Sequence, residues 1–292
     1  MDTFKTIGII GRESDAVGEL LKTLTGFLTT QKVSMILGED IATLLPANDL
    51  PVHSRKTIGE VCDLIIVLGG DGSLLGAARM LARHNVPVLG INRGRLGFLT
   101  DILPDEIEEK VGAVLAGEYT LEKRFLLNAV VKRNDEVIGR AEALNDVVVN
   151  SGTSAQMIEF DLYVDDEFIY RQRSDGLIVS TPTGSTAYSL SGGGPIMHPK
   201  LDAVVLVPMF PHTLSSRPIV IDGNSEIKIV ISENNECHPP VTCDGQVNLT
   251  TLPGDTVYIT KKHHRMKLIH PIDHSFYASC RDKLGWGTRL GD

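Results

Sequence analysis

In the first third of the chain, short continuous apolar runs alternate with stretches whose apolar residues recur at helical spacing. Thr6-Ile7-Gly8-Ile9-Ile10 reads as a buried strand, and Val17, Leu20, Leu21, Leu24, Phe27 and Leu28 then fall on one helical face. Val33–Leu37 predicts a second strand and Asp63–Leu68 a third, followed by a helix with Leu74, Leu75, Ala78, Leu81 and Ala82 on one side. Val86–Ile91 predicts a fourth strand. Ile107, Val111, Val114 and Leu115 mark another helix, with Gly117 as its stop signal. Strands joined by helices predict a parallel sheet covered on both faces, whose ligands sit beyond the carboxyl ends of the strands. Near Leu121 the period shortens to two. Leu127, Ala129 and Val131 alternate with their neighbours, and Ile158, Phe160, Leu162 and Val164 alternate with Glu159, Asp161, Tyr163 and Asp165. Short runs at Ile219–Ile221, Ile227–Ile231 and Val257–Ile259 stand between turns such as Asp222-Gly223 and Pro253-Gly254, so this part predicts an antiparallel β domain. The tail from Leu268 carries Phe276, Tyr277, Leu284 and Trp286 and is too apolar to hang free. The expected division is 1–120, 121–267, and a tail 268–292 that packs back on the first domain.

With 292 residues, 42% hydrophobic and 22% charged, the chain has material for two ordinary domains of a soluble protein. No apolar run approaches the roughly 18 residues of a membrane span. Met1-Asp2-Thr3-Phe4-Lys5 leads directly into a strand, without the basic and apolar regions of a signal peptide, so a cytoplasmic location is expected. A net charge of −9 argues against nucleic acid as a partner and requires local arginines or a metal wherever an anionic substrate binds. Cys62, Cys237, Cys243 and Cys280 form no Cys-x-x-Cys pair, which points to reduced thiols and not to structural zinc. His263-His264, beside Lys261, Lys262 and Arg265, reads as a solvated basic face.

The third strand ends in Gly69-Gly70-Asp71-Gly72 and the chain then enters a helix. Glycines admit backbone N–H groups close to a ligand, and a helix N-terminus favours anions. A carboxylate in such a place needs a task, such as holding a metal or taking a proton. Polyphosphate with a hydroxyl to deprotonate fits these features and points to phosphoryl transfer; the alternative is a tight turn whose Asp71 caps the helix. The turn is neither a Walker A loop nor the Gly-x-Gly-x-x-Gly fingerprint. Asn92–Leu99 either lines the same crevice or only connects domains. Asn145-Asp146, before Val147-Val148-Val149, can grip ribose hydroxyls or form an Asx turn. In Arg171–Gly176, Arg173 can fork onto a phosphate and Asp175 can accept from a hydroxyl or carboxamide, unless this is a surface turn with a local ion pair. Thr181–Ser191 concentrates hydroxyls beside a short apolar helix start and reads as a ligand cradle.

Taken in order, Gly69-Gly70-Asp71-Gly72, Asn92-x-Gly94-x-Leu96-Gly97-Phe98-Leu99, Asn145-Asp146, Arg173-Ser174-Asp175-Gly176, Thr181–Tyr188 and Pro208–Pro218 resemble the NAD kinases, particularly the bacterial type, over nearly the whole chain. The resemblance implies an N-terminal Rossmann-like α/β domain, an antiparallel β-sandwich and a final segment that returns to the first domain. It implies transfer of phosphate from ATP to the 2′-hydroxyl of the adenosine ribose of NAD, giving NADP, with NAD held between the domains and helped by a neighbouring subunit of a homodimer or homotetramer. By the same resemblance Asp71 is the general base, Gly69, Gly70 and Gly72 handle the donor phosphates, and a divalent metal, magnesium first, is the cofactor. Asp71, Gly72, Asn145, Asp146, Gln156, Arg173, Asp175, Thr186, Ala187, Tyr188, Ser189, Leu190, Ser191 and Gln246 would contact NAD. Many relatives carry Asn-Glu where this chain has Asn145-Asp146, which moves the charge by one methylene. Rival readings are a lipid kinase, disfavoured by the Thr181–Ser191 cradle; a phosphofructokinase, disfavoured by the β-rich second half; and a dinucleotide sensor, which needs no acid at Asp71.

Overall fold

The computed structural model describes residues 4–46, 48–94, 97–152, 156–213 and 215–286; the motif positions Leu96 and Leu214 and the end of the tail, 287–292, lie outside them. The chain divides into two compact units, Met1–Lys123 with Arg265–Asp292, and Arg124–His264.

The first unit begins with β1 (Thr6–Gly11), α1 (Asp15–Thr30), β2 (Ser34–Gly38), β3 (Val52–His53), α2 (Arg55–Val61), β4 (Leu64–Leu68), α3 (Asp71–Leu81) and β5 (Pro87–Ile91). Ser14 starts α1 by accepting from the Val17 N–H, and Val17, Leu20, Leu21, Leu24 and Leu28 bury one face of the helix. The sheet runs β5-β4-β1-β2-β3 with every pair parallel. All five residues of β4 are buried, as a strand covered on both faces requires. After a π-helical turn at Ile107–Val111 comes α4 (Gly112–Leu115), and Gly117 follows in the left-handed region at φ 92°. The sequence pattern misses β3 and α2. Only Ile58 and Gly59 of α2 are buried, too few to print a helical period.

β6 (Tyr119–Arg133) leads into the second unit, which continues with β7 (Glu136–Ala143), β8 (Asp146–Asn150), β9 (Ile158–Val164), β10 (Glu167–Ser174), β11 (Gly176–Ser180), α5 (Tyr188–Ser191), β12 (Ala203–Met209), β13 (Ile219–Asp222), β14 (Ile227–Ile231), β15 (Val241–Cys243), β16 (Val247–Leu249) and β17 (Thr256–Pro271). One antiparallel sheet has the order β13-β12-β11-β8-β15-β16. Facing it are β10, β9, β14 and the first part of β17, also antiparallel, with the β6–β7 hairpin beside them. Val147, Val149, Leu177 and Val179 from one layer meet Phe160, Leu162, Ile229 and Val257 from the other in one core, which makes this unit a β-sandwich. The last residues of β17 pair in parallel with β5 (Lys267↔Pro87, Ile269↔Leu89), and α6 (Phe276–Leu284) follows, capped by Ser275. No helix among the described residues is long and apolar enough to cross a membrane.

Candidate active site

Asp71 is the first residue of α3, and its carboxylate leaves its own helix uncapped. Oδ2 accepts from the Phe98 N–H at 2.8 Å, and Oδ1 accepts from the Leu99 N–H at 3.1 Å and the Thr100 hydroxyl at 3.2 Å. Thr100 is fully buried, and its oxygen accepts in turn from Asn92 Nδ2 at 2.7 Å. The loop after β5 is thereby fastened to the glycine turn after β4. Gly97 is required for this approach, because a Cβ there would stand 1.8 Å from Asp71 Oδ1. Gly69 has φ 145° and a Cβ on it would meet Ser73 Oγ at 2.4 Å, so the turn needs glycine at this point as well. A Cβ on Gly70 would meet nothing within 4 Å: the space over the turn at the helix N-terminus is open. An ionised carboxylate has about four acceptor positions. Among the described residues three are taken.

In the second unit, Asn145 and Asp146 stand where β8 begins. The turn is built by Asp244, whose carboxylate accepts from the backbone N–H groups of Leu144 (3.1 Å), Asn145 (2.7 Å) and Asp146 (3.3 Å). Thr181, after β11, adds its N–H to the Asn145 carbonyl (2.8 Å) and its hydroxyl to the Leu144 carbonyl (2.6 Å). Within this frame Asn145 Oδ1 is a buried acceptor with no partner among the described residues. Buried polar atoms are ordinarily satisfied, so this atom has acceptor capacity to spare. Asp146 is 4% exposed, and burial together with the charge of Asp244 pushes its carboxyl up to about 7.

The Thr181–Ser191 segment divides its hydroxyls between two uses. Thr181 and Ser185 fold the turn itself; the Ser185 hydroxyl donates to the Pro182 carbonyl at 2.7 Å and accepts from the Met197 N–H at 2.9 Å. Thr186, Ala187 and Leu190 are half-buried, Tyr188 and Ser191 are exposed, and Ser189 Oγ is buried without a partner among the described residues. Tyr188 and Ser191 border an apolar cavity of about 410 Å³ with Ile178 and Pro208–Pro211. Gln246 is exposed on the turn between β15 and β16, next to Asp244. Arg173 and Gln156 instead share a polar cavity of about 340 Å³ with Glu159 and Asn235. Register explains the separation: Ser180 lies opposite Asp146 and Gly176 opposite Asn150, so Asp175 and Arg173 belong to the far end of β11. Five strand residues span about 17 Å.

Two supporting residues escape the sequence reading. Thr100 carries no signal beyond its place next to Leu99. Asp244 is visible only as half of the turn dipeptide Asp244-Gly245, both of whose residues have positive φ, at 54° and 62°.

Residues 7–119 match the ATP-NAD kinase N-terminal domain family and residues 144–271 the ATP-NAD kinase C-terminal domain family. The chain is 62% identical to an NAD kinase of Teredinibacter turnerae, covering 100% of both, and 61% identical to one of Pseudomonas entomophila, covering 100% of this chain and 99% of the relative. Among solved structures, yeast NADH kinase complexed with NADH superposes with a TM-score of 0.86 at 25% identity, covering 100% of this chain and 91% of that one. An NAD kinase from Archaeoglobus fulgidus in complex with ATP gives 0.70 at 26% identity, covering 96% and 97%.

Proposed function

The chain belongs to the ATP-NAD kinase family, and from that premise we propose that Asp71 is the general base of an NAD 2′-phosphotransferase. NAD kinase activity follows from the full-length likeness to bacterial NAD kinases; the assignment of roles is ours. The 2′-hydroxyl of the adenosine ribose donates to the remaining acceptor position of Asp71. As its oxygen bonds to the γ-phosphorus of ATP, the proton passes to Asp71 and the bond to the leaving ADP oxygen breaks. A positioned base of this kind is worth about 10²–10⁴ in rate. The observation that carries the reading is the threefold tether of Asp71 to Phe98, Leu99 and Thr100, which fixes the carboxylate beside the glycine turn.

Gly69, Gly70 and Gly72 present backbone to the donor phosphates at the N-terminus of α3. Asn145 and Asp146 hold ribose hydroxyls, Asn145 through its unpartnered oxygen. Arg173, Asp175 and Gln156 complete NAD recognition with the Thr186–Ser191 stretch and Gln246. The single carboxylate of the turn is already committed to the loop and the ribose hydroxyl, so Mg²⁺ would be carried by the substrate phosphates, as is usual for that ion. When bound, it supplies charge neutralisation that a chain of net charge −9 lacks. The four free cysteines suit the reducing cytoplasm. Supplying NAD, ATP and magnesium should yield NADP, and Asp71→Asn should lower kcat by about 10²-fold or more with the fold retained. Near-normal turnover in that variant would reduce Asp71 to a loop tether.

A further inference from the structure

We propose that Asp101, His270 and His274 form a binding site for Zn²⁺ in the first unit, apart from the groups assigned to phosphoryl transfer. Asp101 follows the Asp71-tethered loop, His270 is near the end of β17, and His274 lies in the turn before α6. One donor atom from each lies within 4.8 Å of the others. His270 Nδ1 touches Asp101 Oδ2, and His274 Nδ1 is 3.1 Å from Asp101 Oδ1. The two imidazoles stack with centroids 4.0 Å apart at 18°, so both present the same nitrogen to one carboxylate. His270 is fully buried and Asp101 is 8% exposed.

The donor set decides the ion. Two imidazoles and one carboxylate suit zinc and its neighbours, whereas magnesium takes an all-oxygen shell. The surroundings supply the supports of such a site. Glu122 Oε2 lies 3.5 Å from His270 Nε2, a buried nitrogen, without hydrogen-bonding it, and a small shift would make the carboxylate–histidine pairing that directs the other ring nitrogen to a metal. A cavity of about 190 Å³, lined by Asp101 and His274 with Glu106, Asp273 and Asp282, gives access and room for a water as fourth ligand. At its rim Lys110 pairs with Glu106 at 2.9 Å and Asp273 at 3.6 Å, and Asp282 adds a further carboxylate to the lining. A Zn²⁺ here ties the end of β17 and the turn that follows it to the loop whose Thr100 donates to Asp71.

The test uses the full chain, freed of metal with a chelator and titrated with Co²⁺ as a spectroscopic substitute. One equivalent of Co²⁺ should give visible d–d bands of a nitrogen–oxygen site, and Zn²⁺ should displace it. His274→Ala should abolish the bands. Glu122→Gln should weaken the metal by about 10- to 100-fold. A His263→Ala/His264→Ala double variant, altered on the exposed basic stretch of β17, should bind as the unaltered chain does. If the unaltered chain takes up neither ion at one equivalent, the three residues are a hydrogen-bonded clamp and the site does not exist. Bands retained at full affinity in His274→Ala, or in Glu122→Gln should the first variant not fold, would also overturn it. None of these readouts depends on the role given to Asp71.

Discussion

Asp146 shows how burial can set the chemistry of one side chain. Its carboxyl, pushed up to about 7 by burial and by Asp244, holds a proton that the unfolded chain releases near pH 4. Between these values the native state binds more protons than the unfolded state, so this group's contribution to stability is present at low pH and is lost as pH rises through about 7. Asp146→Asn removes the cost of ionisation. Its melting temperature should exceed that of the unaltered chain at pH 8, and the gain should shrink as pH falls toward 5. A difference that stays flat across that range would show that Asp146 is ionised throughout. At this scale the sequence was partly legible. Asp71 and Asn145-Asp146 stand out because a glycine turn or a strand start singles them out. Asp244, which organises the Asn145 turn, is separated from its partners by 98–100 residues, a distance no local pattern bridges.

The element on which the proposed chemistry rests is the junction of β4, the glycine turn and α3, with the loop that carries Gly97 facing it. Its glycines have different reasons. Gly69 has φ 145°, and Gly97 faces the Asp71 carboxylate, so both are fixed by structure alone. Gly70 has φ −83° and ψ −174° and open space where a Cβ would go, so Ala fits it sterically. At an N-cap that exchange costs about 1 kcal/mol or less. If the backbone cradles the donor phosphates, the added methyl displaces a charge-assisted hydrogen bond. Gly70→Ala should then lower kcat/KM for ATP roughly tenfold or more with little change in melting temperature. Unchanged ATP kinetics would leave the turn a structural joint. Elements with a steady period were readable in advance: α1, β4 and β9 follow their spacing throughout. β17 was visible only at Val257–Ile259, because its burial alternates, breaks into exposed residues at 263–265 and then becomes continuous from Leu268. A strand that changes surroundings along its length has no single period to find.

For the whole molecule, the placement of the predicted NAD contacts at two ends of β11 raises the question of how many chains make one site. Asn145 and Asp146 flank the Ser180 end; Arg173 and Asp175 flank the Gly176 end, about 17 Å away by strand rise. Both ends serve NAD in the proposed mechanism, so Asn145→Ala and Asp175→Ala should raise KM for NAD more than KM for ATP. The loss of about 1–3 kcal/mol per buried polar contact corresponds to roughly 5- to 150-fold in kcat/KM. Asp71→Asn should act on kcat instead. One hypothesis for the separation is a homo-oligomer with shared sites, in which Asp71 and Arg173 of one site come from different copies. The arrangement is testable by mixing two impaired variants, Asp71→Asn and Arg173→Ala, under conditions where subunits exchange. In a twofold dimer with shared sites, each mixed dimer has one site carrying both changes and one carrying neither. Random exchange makes about half the dimers mixed, so about a quarter of unaltered activity should return. Activity that stays at the average of the two variants, with exchange verified by mass, would mean that each site draws on one chain. Light scattering that finds a fully active monomer at assay concentration would exclude the shared site altogether.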